Sequence, residues 1–340
     1  MIEERLTSNL YNMANNQPLV GIQEGLEQFI QQYTFGKEPK ELYEPIDYLM
    51  GLGGKRIRPL LTLLAYRLYK SDYQQIFSQA SSVEVFHNFT LMHDDIMDEA
   101  PLRRGMPTVH EKWNANTAIL SGDVMLVKAY EMLLDTPQEL LRDALRIFSR
   151  TAAEVCEGQQ LDMNFEQLGT VSEEAYLNMI RLKTAVLLGF ALQLGGLLAE
   201  APAEELEKLY AFGVNVGIGF QLKDDLLDVY ADKAKFGKQV GGDIIANKKT
   251  YLLIKALELA DGAVKDELAE WIRQETVDKE AKVKGVTRIY DLIGIRQLTE
   301  NKIKACFDSG FEQLNGLRVA DPTALSLLRQ VVEDLINREK

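Results

Sequence analysis

The stretch Leu91–Glu99, which reads LMHDDIMDE, places four acidic residues in a segment that otherwise has the composition of a buried helix. A near copy, Gln221–Val229 (QLKDDLLDV), follows about 130 residues later, and both stretches contain Asp-Asp-x-x-Asp. Residues four apart lie on one face of a helix, so Asp94 and Asp98 share a face, as do the matching aspartates of the copy. Because such carboxylates repel each other and are costly to bury, both faces predict bound hard divalent cations.

Helical periodicity runs outward from these two stretches over most of the chain, and no convincing β pattern is present. Residues 1–35 read as a pair of short helices, and Ala203–Tyr230 reads as another helix pair that carries the second motif. We therefore predict an all-α bundle whose central helices carry the aspartates. With 340 residues, 46% of them hydrophobic, and no Pro/Gly/Ser-rich linker, a single domain over 1–340 is expected.

Composition excludes several classes of protein. The net charge of −13 argues against a general nucleic-acid binder, which usually carries a basic patch. The two cysteines lack metal-type spacing and favour a reduced, cytoplasmic protein. No signal peptide or membrane span is expected, and the most apolar stretch, Thr184–Ala199, reads as a core helix. Asp266–Lys284 is highly charged and is predicted to be a solvated face without function.

Basic residues accompany the first motif. Lys55 and Arg58 follow three glycines at the entry to a helix, an arrangement that suits an anion but also an ordinary solvated turn. Arg103 and Arg104 come shortly after the acidic stretch, where they could pair with its last acids or hold phosphate. His87 lies two helical turns before Asp94, so it is either a core histidine or part of the site.

Further polar residues accompany the second motif. Lys183 and Thr184 interrupt the apolar stretch Ala175–Leu198, and a buried lysine is costly unless it meets an anion. Four more candidates lie on either side of this motif: Phe220, Gln221, Lys238 and Lys248.

The residue types restrict the chemistry. Mg²⁺ prefers oxygen ligands and is typically held by a few carboxylates together with substrate phosphates. Two acidic faces in one bundle could therefore clamp a diphosphate through several Mg²⁺ ions, while basic residues hold its remaining oxygens. There is no Ser-His-Asp or Cys-His arrangement and no Walker-type loop. The sequence therefore predicts metal-assisted departure of diphosphate without a protein nucleophile.

From Gly51 to about Thr250 the chain resembles the trans-isoprenyl diphosphate (polyprenyl) synthases. The resemblance rests on the two Asp-Asp-x-x-Asp motifs, on Gly-Gly-Lys-Arg-x-Arg-Pro, on the Arg103-Arg104 pair and on Lys183-Thr184. It implies an isoprenoid-synthase-type helical bundle around a deep central cavity, usually as a homodimer. The implied reaction is head-to-tail condensation of isopentenyl diphosphate with dimethylallyl, geranyl or farnesyl diphosphate.

The resemblance also implies a role for each candidate. Asp94 and Asp98 would bind two Mg²⁺ ions and Asp224 a third, with Asp228 behind it. The allylic diphosphate would be held by Arg103, Lys183 and Lys238. Isopentenyl diphosphate would be held by Lys55, Arg58, His87 and Arg104. Thr184, Phe220 and Gln221 would lie near the developing allylic cation. Lys248 would lie in a loop that closes over the site, although Asn247–Leu252 departs there from the family pattern Gly-Lys-x-Thr-Leu-Pro.

The resemblance further implies that product length is set on the helix that ends in the first motif, by the turns just before the motif. Phe89 lies five residues before Asp94, Phe86 lies eight before, and Thr90 is small. The resemblance therefore implies a short-chain synthase, with geranylgeranyl diphosphate as the product and farnesyl diphosphate as the close alternative. A longer-chain synthase, a class I terpene cyclase, a di-iron carboxylate bundle and a non-catalytic subunit of a heteromeric synthase are less favoured by the same residues.

Overall fold

The structure, a computed structural model, describes residues 19–231, 241–273 and 278–337, and it confirms the all-α prediction for them. The longer helices are α1 (19–32), α2 (Lys40–Gly51), α3 (Ile57–Arg67), α4 (Phe77–Met97), α6 (Ala115–Leu133), α7 (Gln138–Glu166), α8 (Glu173–Ile180), α9 (Val186–Leu198), α10 (Ala203–Tyr230), α12 (Tyr251–Leu259), α13 (Gly262–Arg273), α14 (Lys279–Leu292), α15 (Ile295–Asn315) and α16 (Pro322–Ile336). Short helices are α5 (Val109–Lys112), α11 (Gly242–Ile245) and a 3₁₀ turn at Tyr73–Ile76.

One small β element departs from the prediction. Strands β1 (Leu102–Arg103) and β2 (Met106–Pro107) pair antiparallel, directly after the first motif. Arg104 and Gly105 form the turn with φ of 54° and 78°, and positive φ at both central residues suits a tight hairpin. Two-residue strands are too short for an alternating pattern, so the sequence carried no periodic signal for them.

By contact, the chain divides into two compact units. The first unit comprises Met1–Phe148, Ala191–Leu206 and Val319–Leu328, and the second comprises Ser149–Phe190, Glu207–Arg318 and Arg329–Lys340. The single domain over 1–340 stays a prediction.

In the first unit, α4 is the central helix and packs against α2, α3 and α6. It buries residues on most of its circumference, including Phe86, Asn88 and Asp95. A helix buried on several sides fixes the side chains near its end, so the first motif is held on a rigid element.

Helix α10, most of which belongs to the second unit, is one continuous helix of 28 residues, so the expected helix pair at Ala203–Tyr230 is wrong. Two glycines within this helix permit close packing. A Cβ on Gly213 would lie 2.7 Å from the Cα of Gly189, and one on Gly217 would lie 2.6 Å from the Cα of Ala185. The second motif is therefore held near the end of a tightly packed helix.

The stretch Glu173–Leu198 is long and apolar enough to pass a simple test for a membrane span, with a mean hydropathy of 1.3. However, 78% of the apolar 18-residue part of this stretch is buried within the protein. This is the pattern of a core helix, in agreement with the sequence prediction.

Candidate active site

Both motifs lie at the C-terminal end of a long helix. Asp94 and Asp95 are in the last turn of α4, with Asp98 as its C-cap, and the second motif occupies the last two turns of α10. Neither last turn contains a basic residue. A helix C-terminus carries partial negative charge, so clustered carboxylates are unfavourable there unless cations are bound. The placement therefore strengthens the expectation of cation binding.

The second aspartate of the first motif is an anchor rather than a free ligand. Asp95 is 3% exposed and accepts two hydrogen bonds from Arg103, Nε to Oδ2 and Nη2 to Oδ1, both at 2.7 Å. The salt bridge considered from the sequence paired Arg103 with Asp98 or Glu99, and that choice of partner is wrong. The bidentate bond ties the β1–β2 hairpin to α4, while Asp98 remains exposed.

Four arginines surround His87 in the first unit. Arg58 Nη1 lies 3.0 Å from His87 Nε2, so the guanidinium donates to the imidazole. Burial and then the charges of Arg58, Arg103, Arg104 and Arg56 hold the pKa of His87 well below its ordinary value. The imidazole is therefore neutral and lies among cationic side chains.

One hydrogen-bond donor of this arginine cluster has no acceptor among the described residues. Arg58 Nε is buried without a hydrogen-bond partner, and such an orphaned donor needs an acceptor. Gly54, with φ of 143°, lies against Arg104, because a Cβ there would be 2.9 Å from Nη2. The glycine thus gives the guanidinium room. Lys55, which lies between Gly54 and Arg56 in the chain, is exposed.

Arg56 has a different role, which the sequence did not reveal. It is 7% exposed, and it bonds Glu84 at 2.7 Å, Glu27 at 3.3 Å and the carbonyl of Met50 at 2.7 Å. Its charge is satisfied within the first unit, so it holds the loop before α3 in place.

Non-glycine residues with positive φ are concentrated in the segments that carry the candidate site residues. Of five non-glycine residues with positive φ in the described ranges, four lie there: Arg56, Glu99, Arg104 and Asn247. Left-handed conformations of such residues cost free energy and are often retained at functional sites.

The second motif repeats the buried anchor with different partners. Asp225 is 5% exposed and accepts hydrogen bonds from the Tyr176 hydroxyl and, at 3.1 Å, from Gln221 Nε2. These donors are neutral, and burial raises the pKa of Asp225 to about 6. Asp224 is exposed on the same helix.

Asp243 adds a further carboxylate to this half of the site. Its backbone N–H donates to Asp228 Oδ2 at 2.9 Å. Burial, with smaller contributions from Asp225, Asp228 and Asp162, raises the pKa of Asp243 to about 7, although Lys248 opposes the rise. The second unit therefore contains a group of acids that a cation would stabilise.

Lys183 and Thr184 lie in a π-helical segment, Arg181–Ala185, between α8 and α9. Segments of π-helix are rare in proteins, and those that occur are often found at functional sites. Lys183 Nζ bonds Asp162 Oδ2 at 2.6 Å, so the predicted need for an anion is met by a carboxylate of α7. Thr184 Oγ1 donates to Gln221 Oε1 at 3.2 Å, which links the segment to the second motif.

The remaining predicted residues are placed as follows. Phe220 is half-buried on α10, and Lys248 is exposed after α11. Lys238 lies outside the described residues. The structure thus groups Arg58, His87, Arg103 and Arg104 with the first motif, and the place of Lys55 in the site stays a prediction. The structure groups Lys183, Thr184, Gln221 and Lys248 with the second.

Two of the predicted length-setting residues, Phe89 and Phe86, belong to a cluster of rings in the first unit. Phe89, 8% exposed, lies with its ring centroid 4.7 Å from His93 and 5.6 Å from Phe86. Phe86 is fully buried and meets Phe148 edge-on at 5.2 Å. Thr90 Oγ1 donates to the carbonyl of His87 at 2.8 Å, so its hydroxyl is used within α4.

Sequence reasoning missed five residues that organise the site. Asp95 and Asp225 stood inside the motifs, but periodicity could not show which acids are buried. The other three gave no signal beyond a polar residue in a helix or loop: Asp162, Tyr176 and Asp243.

The donor set suits a cation that also binds substrate. Among the described residues, no group of three or more His, Cys, Asp or Glu side chains is arranged to hold a metal ion. Pairs of carboxylates one helical turn apart supply only part of an octahedral oxygen shell, and Mg²⁺ commonly completes such a shell with water and substrate phosphate.

Comparisons with known proteins cover both motifs. A family profile described as polyprenyl synthetase matches residues 39–290. A geranylgeranyl diphosphate synthase of Methanosarcina mazei is 39% identical over 303 residues, covering 88% of this chain and 91% of the relative. A geranylfarnesyl diphosphate synthase of Natronomonas pharaonis is 35% identical, covering 89% and 91%. A crystal structure of a geranylgeranyl pyrophosphate synthase matches with a TM-score of 0.90 and 41% identity, over 95% of this chain and 99% of that chain. These matches confirm the isoprenoid-synthase-type fold that the resemblance implied.

Proposed function

We propose that this chain, which belongs to the polyprenyl synthetase family, condenses isopentenyl diphosphate with an allylic diphosphate to give geranylgeranyl diphosphate. The enzyme is a trans-prenyltransferase of the short-chain type. The observation that carries the proposal is the repeated arrangement at the ends of α4 and α10. In each, one aspartate is buried and hydrogen-bonded, while the aspartates on either side of it lie on the more accessible surface.

Magnesium fits the accessible carboxylates. Asp94 and Asp98 would hold two Mg²⁺ ions, and Asp224, supported by Asp228, a third. When bound, Mg²⁺ adds positive charge to the diphosphate and makes it a better leaving group. The buried aspartates keep the ligands in register through their bonds to Arg103, Tyr176 and Gln221.

The two substrates would use different cations. Isopentenyl diphosphate would bind Lys55, Arg58, His87 and Arg104, and the orphaned N–H of Arg58 supports an oxygen acceptor there. His87 is neutral and can donate one N–H while its other nitrogen accepts from Arg58. The allylic diphosphate would bind Arg103, Lys183 and Lys238. Arg103 keeps N–H groups beyond those bound to Asp95, so it can serve both partners.

The reaction would proceed by ionisation, attack and proton loss. Cationic side chains stabilise the charge that develops on the departing diphosphate as the C1–O bond breaks. The oxygens of Thr184 and Gln221 and the ring of Phe220 would face the allylic cation, which an aromatic face attracts. The double bond of isopentenyl diphosphate forms the new C–C bond. The released diphosphate then removes the proton from the resulting cation.

Product length would be limited by Phe89, with Phe86 one turn deeper. Phe89 is supported on both sides, by His93 and Phe86, so its ring is held rather than free to move aside. A rigid aromatic wall of this kind supports a short product. The fully buried Phe148 supports Phe86 in turn.

A homodimer is the proposed assembly, because α6 and its C-cap residue Leu134 expose an apolar stripe. Leu120, Val127 and Leu134 are 58%, 56% and 57% exposed and recur every seven residues. Such a stripe suits a self-complementary helix–helix contact between two copies. Replacing Leu120 and Val127 by Glu should yield monomers in light scattering, whereas Leu168→Glu, at another exposed apolar site, should leave the mass unchanged.

We also propose a cytoplasmic location.

The experiment that tests the function uses the purified chain with Mg²⁺ and isopentenyl diphosphate. Dimethylallyl, geranyl and farnesyl diphosphate are supplied one at a time, and the products are dephosphorylated and sized by chromatography. We expect a C20 product that is lost when EDTA removes the metal. A C15 or C25 product would overturn the proposed length but keep the reaction. Conversion of the allylic substrate without isopentenyl diphosphate would overturn the condensation itself.

A further inference from the structure

Lys282 is a buried cation on α14, within the stretch Asp266–Lys284 that the sequence predicted to be a solvated face. It is 6% exposed, although Lys284 on the same helix has 79% of its side chain exposed. Its Nζ donates to Asn247 Oδ1 at 2.8 Å and to the carbonyl of Ile245 at 3.3 Å. In the described part of the chain no carboxylate pairs with it, and burial lowers its pKa.

A buried ammonium without a counter-charge is costly, and an apolar side chain of similar length is often as stable in such a place. Stability alone therefore does not explain Lys282. What it holds is the segment Gly241–Lys248, whose last residue is the predicted loop lysine. Asn247, with φ of 52°, is fixed from two sides, because its Nδ2 also donates to the carbonyl of Ile272 at 3.1 Å.

The opposite side of this segment is bound to the second motif. The N–H of Gly241 donates to the carbonyl of Asp228 at 2.7 Å, and the N–H of Asp243 donates to its carboxylate at 2.9 Å. Gly241 also lies against α14, since a Cβ there would be 2.6 Å from Val283. The segment is thus held between the end of α10 and the helix that carries Lys282.

Lys248 is electrostatically close to the acids that this segment faces. Its charge opposes the raised pKa of both Asp225 and Asp243. Asn247 directly precedes it, so the hydrogen bond from Lys282 fixes the backbone from which Lys248 extends.

We infer that Lys282 is a positioning residue that keeps Asp243 and Lys248 against the second motif. Through these two residues it would also position the end of the allylic diphosphate. Its catalytic meaning rests on the proposed function, whereas its anchoring of the 241–248 segment does not. Lys282 would touch no substrate. It would act by limiting where Lys248 can reach.

The test compares Lys282→Met with Lys284→Met as the matched control. Hydrogen exchange of the backbone amides in 241–250 should become faster in K282M and stay as in wild type in K284M. Because displacements of about 1 Å can cost up to roughly 100-fold, the KM for the allylic diphosphate should rise about 10-fold or more. The KM for isopentenyl diphosphate should stay within about twofold, which general damage to the fold would not produce.

A second variant, Asn247→Gly, removes the acceptor at a position whose positive φ glycine adopts without strain. It should reproduce both effects, and combining it with K282M should add little. The inference is overturned if 241–250 exchanges in K282M as in K284M, or if the allylic KM is unchanged. Should K282M fail to fold, the same two readouts on N247G decide. If the wild type lacks prenyl transfer but the exchange result holds, only the proposed function fails.

Discussion

Replacing the buried aspartate by asparagine should have opposite effects on stability in the two motifs. Asp95→Asn and Asp225→Asn make the same chemical change at equivalent positions of the two motifs. Only the partners differ, because Asp95 faces an arginine and Asp225 faces a tyrosine and a glutamine. The pair of variants therefore separates the effect of the surroundings from that of the sequence pattern.

Asp225→Asn should stabilise the metal-free protein at neutral pH. Burial raises the pKa of Asp225 from 3.8 to about 6. A difference of roughly 2 in pKa corresponds to ~3 kcal/mol. The protonated carboxyl contributes its stability fully below the unfolded pKa, near pH 4, and loses it as the pH rises through about 6. Asparagine carries no charge to desolvate, so D225N should gain up to ~3 kcal/mol above about pH 7 and little near pH 4.

Asp95→Asn should lower the stability of the metal-free protein throughout the same pH range. It removes the charge from a bidentate bond to Arg103, whose side chain is 23% exposed. Breaking a fully buried pair costs about 3–5 kcal/mol. Because Arg103 keeps some access to water, a loss of ~2–3 kcal/mol is expected here.

Urea denaturation with EDTA at pH 5, 6 and 7.5, followed by circular dichroism, measures both effects. The midpoint of D225N should lie above that of wild type at pH 7.5 and approach it as the pH falls. The midpoint of D95N should lie below throughout. A shift of the same sign in both variants at pH 7.5, or a D225N shift independent of pH, would refute the reasoning about neutral and charged partners.

Further substitutions test the roles assigned to the site. Asp94→Ala should lower kcat at least ~100-fold, because charge stabilisation of the leaving group is lost, while circular dichroism stays unchanged; near-wild-type turnover contradicts the assignment. Phe89→Ala should lengthen the product by one or more isoprene units, whereas Thr117→Ala on the partly buried start of α6 should not; identical product profiles would count against a length role for Phe89. Tyr176→Phe removes the hydroxyl bond to Asp225, so half-maximal activity should need several-fold more Mg²⁺, and an unchanged Mg²⁺ titration would exclude such a role.

The helices were predictable because their signal is local. Apolar residues at three- and four-residue steps mark each helix whatever lies around it. The errors arose where a residue acts through close packing. A helix pair was expected at Ala203–Tyr230, but Gly213 and Gly217 lie within one continuous helix, where they let its backbone approach Gly189 and Ala185. The π-helical segment at Lys183 is a similar case, since Gly158 of α7 leaves its backbone room: a Cβ there would be 2.2 Å from the Lys183 nitrogen.

The kinds of residue in the site were predictable, but their partners were not. A lysine in an apolar helix needs an anion, and this argument holds for Lys183 without any structure. That the anion is Asp162, 21 residues away, follows only from the packing of α7 on the π segment. Tyr176 and Asp225 are 49 residues apart and carry no shared pattern. Lys282 shows the converse error, since a charged stretch suggested a solvated face and hid a buried anchor.

The two motifs share a pattern but have different electrostatic surroundings, and this difference bears on how they bind cations. Around the first motif, Arg103 neutralises the buried aspartate before any metal arrives. Around the second, burial and neighbouring carboxylates raise the pKa values of Asp225 and Asp243, and Lys248 offsets the rise only in part. Carboxyls with pKa values of about 6 and 7 are partly protonated near neutral pH, and each bound proton removes negative charge that would otherwise stabilise a cation held by the neighbouring ligands Asp224 and Asp228. Cation binding at the second motif should therefore compete with protons in this range, a dependence that the identical letters of the sequence do not reveal.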